Sequence, residues 1–168
     1  MSTPKSYTFH SALTPPTDPD GPAYWFVFQE SNLLVAAAGE EAEVLQASTA
    51  QELGLPILRR QYLGHLHRDG QPTVHCYSAE ADPAASLPEG VTAEGLRQLY
   101  TRLPDPFFQI AGRAVQIVDW DRTHQFCGHC QPALALPQFA DAGLHCRICR
   151  GGFCLGRGGD RRGGLVCA

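Results

Sequence analysis

Four cysteines near the C-terminal end, Cys127, Cys130, Cys146 and Cys149, form a C-x2-C-x15-C-x2-C array. Two thiolates three positions apart on a tight knuckle can share one metal ion. Two such knuckles close a tetrahedron with Zn–S distances of about 2.3 Å. Residues 131–145 are long enough to run out and back, returning the second knuckle to the first. The spacing therefore predicts a structural zinc ribbon with these four cysteines as the Zn2+ ligands. His124, His129 and His145 flank the knuckles, but two complete CxxC pairs leave them no ligand position, and they read as supporting or surface groups. A redox CxxC of the thioredoxin kind is a single pair at a helix start, which is a different pattern. A pair of disulfides would give the same spacing only in an oxidising compartment.

The rest of the chain argues against that compartment. Its first eight residues are polar and lack the apolar core of a secretory signal. No apolar run approaches the roughly 18 residues of a membrane span. The expectation is a cytoplasmic chain with no membrane partner, whose cysteines stay reduced. Seven cysteines is an odd number, which suits four ligands and three bystanders better than a full disulfide set. A net charge of −4 gives no global basic footprint for nucleic acid. Lys5 is the only lysine, arginine supplies the other positive charges, and Ala, Gly and Pro abound, a bias expected of GC-rich coding DNA.

The elements that would position the cysteines lie upstream. Residues 1–22, rich in Pro, Thr, Ser and Asp, read as an irregular arm. Tyr24 to Gln29 and Asn32 to Ala38 read as two strands joined by a turn at Glu30-Ser31. Gly39 to Gln51 opens with Glu40, Glu41 and Glu43, acids that suit the first turn of a short helix. Ile57–His67 and Thr73–Ser78 flank Asp69-Gly70, a hairpin signal. His65, His67 and His75 fall on that hairpin and read as a solvated sheet face, and Cys76 as a buried strand residue. After a Pro-rich loop, 82–90, Thr92 is placed to cap a helix carrying Leu96, Leu99 and Leu103. Asp105-Pro106 starts a second helix to about Trp120, with Phe107, Ile110, Ala111, Ala114, Ile117 and Val118 on one face.

Together these give an α/β (α+β) N-terminal domain over 23–120, followed by a four-cysteine zinc ribbon over 121–155 and a Gly/Arg-rich tail over 156–168. Trp120 and Phe126 bracket the entry to the ribbon and read as packing residues.

The junction of helix and ribbon carries a resemblance. Phe108-Gln109-Ile110-Ala111-Gly112-Arg113-Ala114-Val115-Gln116-Ile117-Val118-Asp119-Trp120, then His124-Gln125-Phe126-Cys127-Gly128-His129-Cys130, is similar to the A-R-A … W … F-C-G-x-C stretch of the NADH pyrophosphatase family of Nudix hydrolases. Leu63-Gly64-His65-Leu66 and Gly95-Leu96-Arg97-Gln98-Leu99-Tyr100 resemble its upstream hairpin and helix. The resemblance covers about Tyr24 to Cys149. It implies a Nudix-like N-terminal domain, a zinc ribbon and, beyond them, a catalytic Nudix domain. That domain would cut the pyrophosphate of NAD(H) or of NAD-capped RNA with Mg2+ or Mn2+, in a homodimer.

The chain departs from the family after Cys149. No P-R-x-D-P segment follows, and the 168 residues contain no Nudix box, the helix whose glutamates hold the divalent metals. Catalytic residues are therefore none in this chain, and any residues that bind NAD are unknown. The Glu40, Glu41, Glu43 cluster lacks the box's spacing and reads as a solvated element start. Seven glycines among the last eighteen residues, interleaved with Arg157, Arg161 and Arg162, cannot build a core. The preferred reading of this tail is a truncation or out-of-frame continuation. A short natural form and a phosphate-touching RGG-like segment stay open. Two function classes follow: the inactive N-terminal and zinc-ribbon part of an NAD+ diphosphatase-like hydrolase, or a free-standing zinc-ribbon module binding protein or nucleic acid.

Overall fold

The dense apolar run Ala23–Gln29 becomes the spine of a sheet. This is seen in a computed structural model that describes residues 7–15, 21–39, 41–68, 70–124, 143–145 and 152–154. The chain divides into two compact units, Met1–Asp119 and Trp120–Ala168.

In the first unit the strands are β1 (Tyr7–Ser11), β2 (Ala23–Gln29), β3 (Asn32–Ala38), β4 (Glu41–Ala47), β5 (Ile57–Arg68), β6 (Val74–Ala81) and β7 (Val91–Gly95). The helices are a four-residue turn, α1 (Leu96–Leu99), and α2 (Asp105–Thr123). The seven strands form one mixed sheet in the order β1-β5-β6-β2-β4-β3-β7. Central β2 runs parallel to β6, while the other pairings are antiparallel. A mixed sheet with few helices is the α+β arrangement.

β2 is apolar on both sides because both faces of the sheet are covered there. On one face Phe26, Phe28, Leu33, Val35, Leu63 and Leu66 pack with Phe107, Ile110, Ala111, Ala114 and Val118 of α2. On the other, Trp25, Val27, Leu34 and Ala79 are covered by Ala50, Leu53 and Leu55 of a 3-10 turn (Ala50–Leu53) and its exit, and by Leu87 of the following loop. The indole of Trp25 donates to the Ala47 carbonyl at 3.0 Å.

The two strands of the first hairpin, the long β5–β6 hairpin, the buried Cys76 and α2 match the sequence reading. Three segments differ. Tyr7–Ser11, inside the stretch read as an irregular arm, is an edge strand paired with β5, because Tyr7 and Phe9 turn toward the helix-side core. Glu41–Ala47 is a strand, not the start of a helix: Ala42, Val44 and Ala47 go inward while Glu41, Glu43 and Gln46 face out. Val91–Gly95 is also a strand, so Thr92 sits mid-strand opposite Val35 instead of capping a helix. The helical turn begins only at Leu96, where Gln98 Oε1 accepts from the Gly95 N–H at 3.3 Å. α2 holds to its expected face, and its first i to i+4 bond runs from the Phe108 N–H to the Pro104 carbonyl.

Candidate functional site

The four expected zinc ligands, Cys127, Cys130, Cys146 and Cys149, lie outside the described residues, as do Phe126, His129 and the tail. Two strands of the second unit are described: β8 (Gly143–His145) and β9 (Gly152–Cys154), antiparallel, with Leu144 opposite Phe153. The six residues that join them in sequence carry Cys146 and Cys149. Among the described residues no three His, Cys, Asp or Glu side chains are gathered so as to hold a metal ion.

The helix that leads toward the first CxxC ends in a closed turn. The His124 N–H bonds the Trp120 carbonyl at 2.9 Å, and Thr123 Oγ1 donates to the same carbonyl at 3.3 Å. The His124 ring stacks on the Trp120 indole at 5.0 Å and 14°. His124 is therefore engaged with the last turn of α2. Trp120 is half-buried.

Among the described residues, a run of polar aromatic side chains lies on the sheet face opposite α2. From the covered Trp25, rings step outward through Tyr77, Tyr62, His75 and His65 to His10 on the edge strand. Successive centroids are 4.7, 5.2, 5.8, 6.4 and 5.2 Å apart. Strand pairing puts them on one side: Trp25 lies opposite Tyr77, Tyr77 opposite Tyr62, His75 opposite His65, and His65 opposite His10. The Tyr62 hydroxyl bonds His75 Nδ1 at 2.8 Å. Burial raises the Tyr62 phenol to about 12, aided by Tyr77 and Cys76. Burial, then the charge of His65, lowers the His75 imidazole below its ordinary value. Tyr77 is raised by burial, against the pull of the nearby Arg60 guanidinium. Of the three histidines expected on a solvated face, His67 is exposed, opposite Thr8, whereas His65 and His75 are half-buried and pair across β5 and β6. His10 was missed; its signal is the alternation of Tyr7-Thr8-Phe9-His10, which sends His10 to the side away from the core.

On the helix side the charges are paired. Glu80 is buried and meets Arg59, and Glu94 meets Arg102. The Cys76 thiol is pushed up to about 12 by burial, so it is neither a ready nucleophile nor a metal ligand. No described helix is long and apolar enough to cross a membrane.

A family model described as the NADH pyrophosphatase-like rudimentary NUDIX domain matches residues 22–120, which is the sheet with most of α2. The chain belongs to this family. The rudimentary NUDIX domain ends in α2, a few residues before Cys127.

The chain is 34% identical over 144 residues to an NAD-capped RNA hydrolase NudC of Deinococcus radiodurans, covering 84% of this chain and 44% of that protein. It is 32% identical over 96 residues to the NudC of Pseudomonas fluorescens Pf-5, covering 56% of this chain and 32% of that protein. The NudC of Pseudomonas syringae pv. tomato is 29% identical over 104 residues, covering 58% of this chain and 35% of that protein. The chain spans less than half the length of each of these relatives. No solved structure matches it. An aligned stretch covering 84% of 168 residues contains Cys127 and Cys130 wherever it starts, so similarity to the Deinococcus protein runs past the rudimentary NUDIX domain into the cysteine segment.

Proposed function

We propose that this chain is the N-terminal and zinc-ribbon part of an NAD+ diphosphatase-type Nudix hydrolase, whose full form cuts the pyrophosphate of NAD(H) or NAD-capped RNA. The observation that carries the reading is the family match over 22–120, continued by similarity to an NAD-capped RNA hydrolase into the CxxC segment. The 168 residues contain no Nudix box, so on this reading the chain does not hydrolyse dinucleotides by itself. Mg2+ or Mn2+ would be held by a catalytic domain that these residues do not include.

The donor set Cys127, Cys130, Cys146 and Cys149 fits a closed structural Zn2+ site: four soft thiolates and no position left for water. The β8–β9 pairing on either side of the second CxxC favours a ribbon. Bound zinc would supply folding free energy to the segment after α2 and no chemistry on substrate.

The reading is tested by incubating the 168-residue chain with NADH and Mn2+ and measuring NMN and AMP. No turnover above a metal-stripped control is expected, and release of NMN would refute the claim that the chain is catalytically empty. Translating the other two frames of the DNA after the Cys149 codon tests the origin of the tail. A Nudix box in one of them is the outcome required by an out-of-frame continuation.

A further inference from the structure

Tyr62, His65, His75 and Tyr77 are half-buried and His10 is exposed, on the outer part of the sheet face whose inner part, at Trp25 and Ala79, is covered by the 3-10 turn and Leu87. Strand pairing fixes what shares this face. Arg60 lies opposite Ala79 and is exposed, close enough to Tyr77 for its charge to act on the phenol. No strand position of β1, β5 or β6 on this face holds Asp or Glu, although the chain has 17 acidic residues and a net charge of −4. The one acid of these strands is elsewhere: Glu80 points to the helix side and is paired with Arg59. The positions of β1, β5 and β6 on this face therefore offer rings, imidazoles and a guanidinium and no carboxylate, the acids of the same face being on β4 (Glu41, Glu43) and on the 3-10 turn (Glu52). Rings with a cation beside them hold unpaired bases by stacking while the cation meets a phosphate. A duplex hides its bases and is held mainly through many phosphate contacts, which one arginine does not supply.

We infer that the ring-bearing face of β1, β5 and β6 binds single-stranded RNA, its bases stacking along Tyr62, His75, His65 and His10 and a phosphate meeting Arg60. The inference rests on the hydrolase reading for its ligand: the RNA body attached to the dinucleotide would lie on this sheet while the cap is cut elsewhere. It adds a role for the rudimentary NUDIX domain, which then holds substrate by the part that is not cleaved.

The test uses the full 168-residue chain and a fluorescein-labelled single-stranded RNA of about 12 nucleotides, a length that spans such a site, with a 5′-hydroxyl and no cap. Fluorescence anisotropy should show binding. Tyr62→Ala and His65→Ala should each weaken it about tenfold, as loss of one stacked base does. His65→Phe, which keeps a ring, should retain it. Arg60→Ala and His10→Ala alter exposed positions and should also weaken binding, so the inference stays testable if Tyr62→Ala does not fold. Arg113→Ala, exposed on α2, should change nothing.

Unchanged affinity in folded Arg60→Ala, His10→Ala and His65→Ala chains overturns the inference, and places any RNA binding in the Gly/Arg-rich tail or the cysteine segment. So does a shift from dimer to monomer in these variants with RNA affinity intact, which would mean a second copy of the chain covers the face. The probe carries no pyrophosphate, so its failure leaves the hydrolase reading standing. Turnover of NADH would refute only the claim that the chain is catalytically empty, and absence of a Nudix box in every frame only the out-of-frame origin of the tail, so neither outcome decides the anisotropy result.

Discussion

The Tyr62 hydroxyl on β5 and Nδ1 of His75 on β6 meet at 2.8 Å. Burial raises the Tyr62 phenol to about 12, so it keeps its proton, and burial together with His65 holds His75 below its ordinary value, which favours the neutral imidazole. Which of the two donates follows the tautomer of His75.

A base with a folded pKa below its unfolded value disfavours the folded state on acidification. The unfolded chain takes up the proton first, so the contribution of His75 is fully present above about 6.5 and is lost as pH falls from there through the folded value. The thermal midpoint should drop between pH 7.5 and 5.5, and His75→Gln should reduce that drop. The groups facing His75 are the Tyr62 hydroxyl and the His65 ring. The His75 ring signal in an NMR titration should have its midpoint below about 6.5, and a midpoint at or above that value would contradict the assignment.

Gly64 is required by β1. It has φ +131, and a Cβ there would lie 2.1 Å from the His10 carbonyl oxygen and 2.9 Å from the Ala12 nitrogen. The β5–β6 register shifts between Tyr62 and Gly64, and this bulge lets the edge strand lie against β5. Gly64→Ala should cost about 3 kcal/mol or more, combining backbone strain with a clash against backbone that cannot step aside. Amide exchange should localise the loss to residues 7–12, and a denaturation midpoint equal to wild type would refute this.

Much of this arrangement was legible in the sequence, and the failures have physical causes. The β5–β6 hairpin and α2 were readable because each carries its period within one segment: alternation around Asp69-Gly70, and the three-and-four spacing of Phe107, Ile110, Ala111 and Ala114. β4 alternates too, but its Glu and Ala residues are good helix formers, and only burial of Ala42, Val44 and Ala47 against neighbouring strands overrides that propensity. The parallel β2–β6 pairing joins residues about fifty positions apart, and no local pattern encodes it. The ring face was invisible for the same reason. Trp25, Tyr62, His75 and His10 come from four strands, and the outermost contact, His10 on His65, depends on an edge strand that lies inside a Pro-rich arm. The cysteine array is a local spacing that stands in the sequence alone, its four residues lying outside the described ones.

Gln29 fastens the loop after β6. Its Nε2 lies 3.1, 3.3 and 3.0 Å from the carbonyl oxygens of Asp82, Pro83 and Ala85, which fixes the amide orientation. Gln29→Glu would replace the donor with a carboxylate facing three acceptors, at a cost of about 2 kcal/mol. The charged form is the disfavoured one, so the carboxyl's folded pKa would lie above about 4.3 and the destabilisation would grow as pH rises through that range. Urea midpoints of Gln29→Glu and wild type should converge on acidification to about pH 4. A gap that widened instead would mean that the loop is held by other groups.

Metal removal should separate the two units. If Cys127, Cys130, Cys146 and Cys149 hold Zn2+, purified chain should carry about one zinc, and Cys146→Ser should lose it, because three thiolates leave the tetrahedron open. Chelation should unfold the segment after α2 while the seven-stranded sheet persists, since among the described residues the core around Phe26, Phe28, Leu33 and Phe107 is built by the strands and helices of the first unit. The measurement is paired: near-ultraviolet dichroism of the buried Trp25 should hold steady while amide exchange rises over 143–154. Full zinc retention in Cys146→Ser would remove that residue from the ligand set. Collapse of the Trp25 signal together with zinc loss would show that the sheet depends on the metal and would refute the expected independence of the two units.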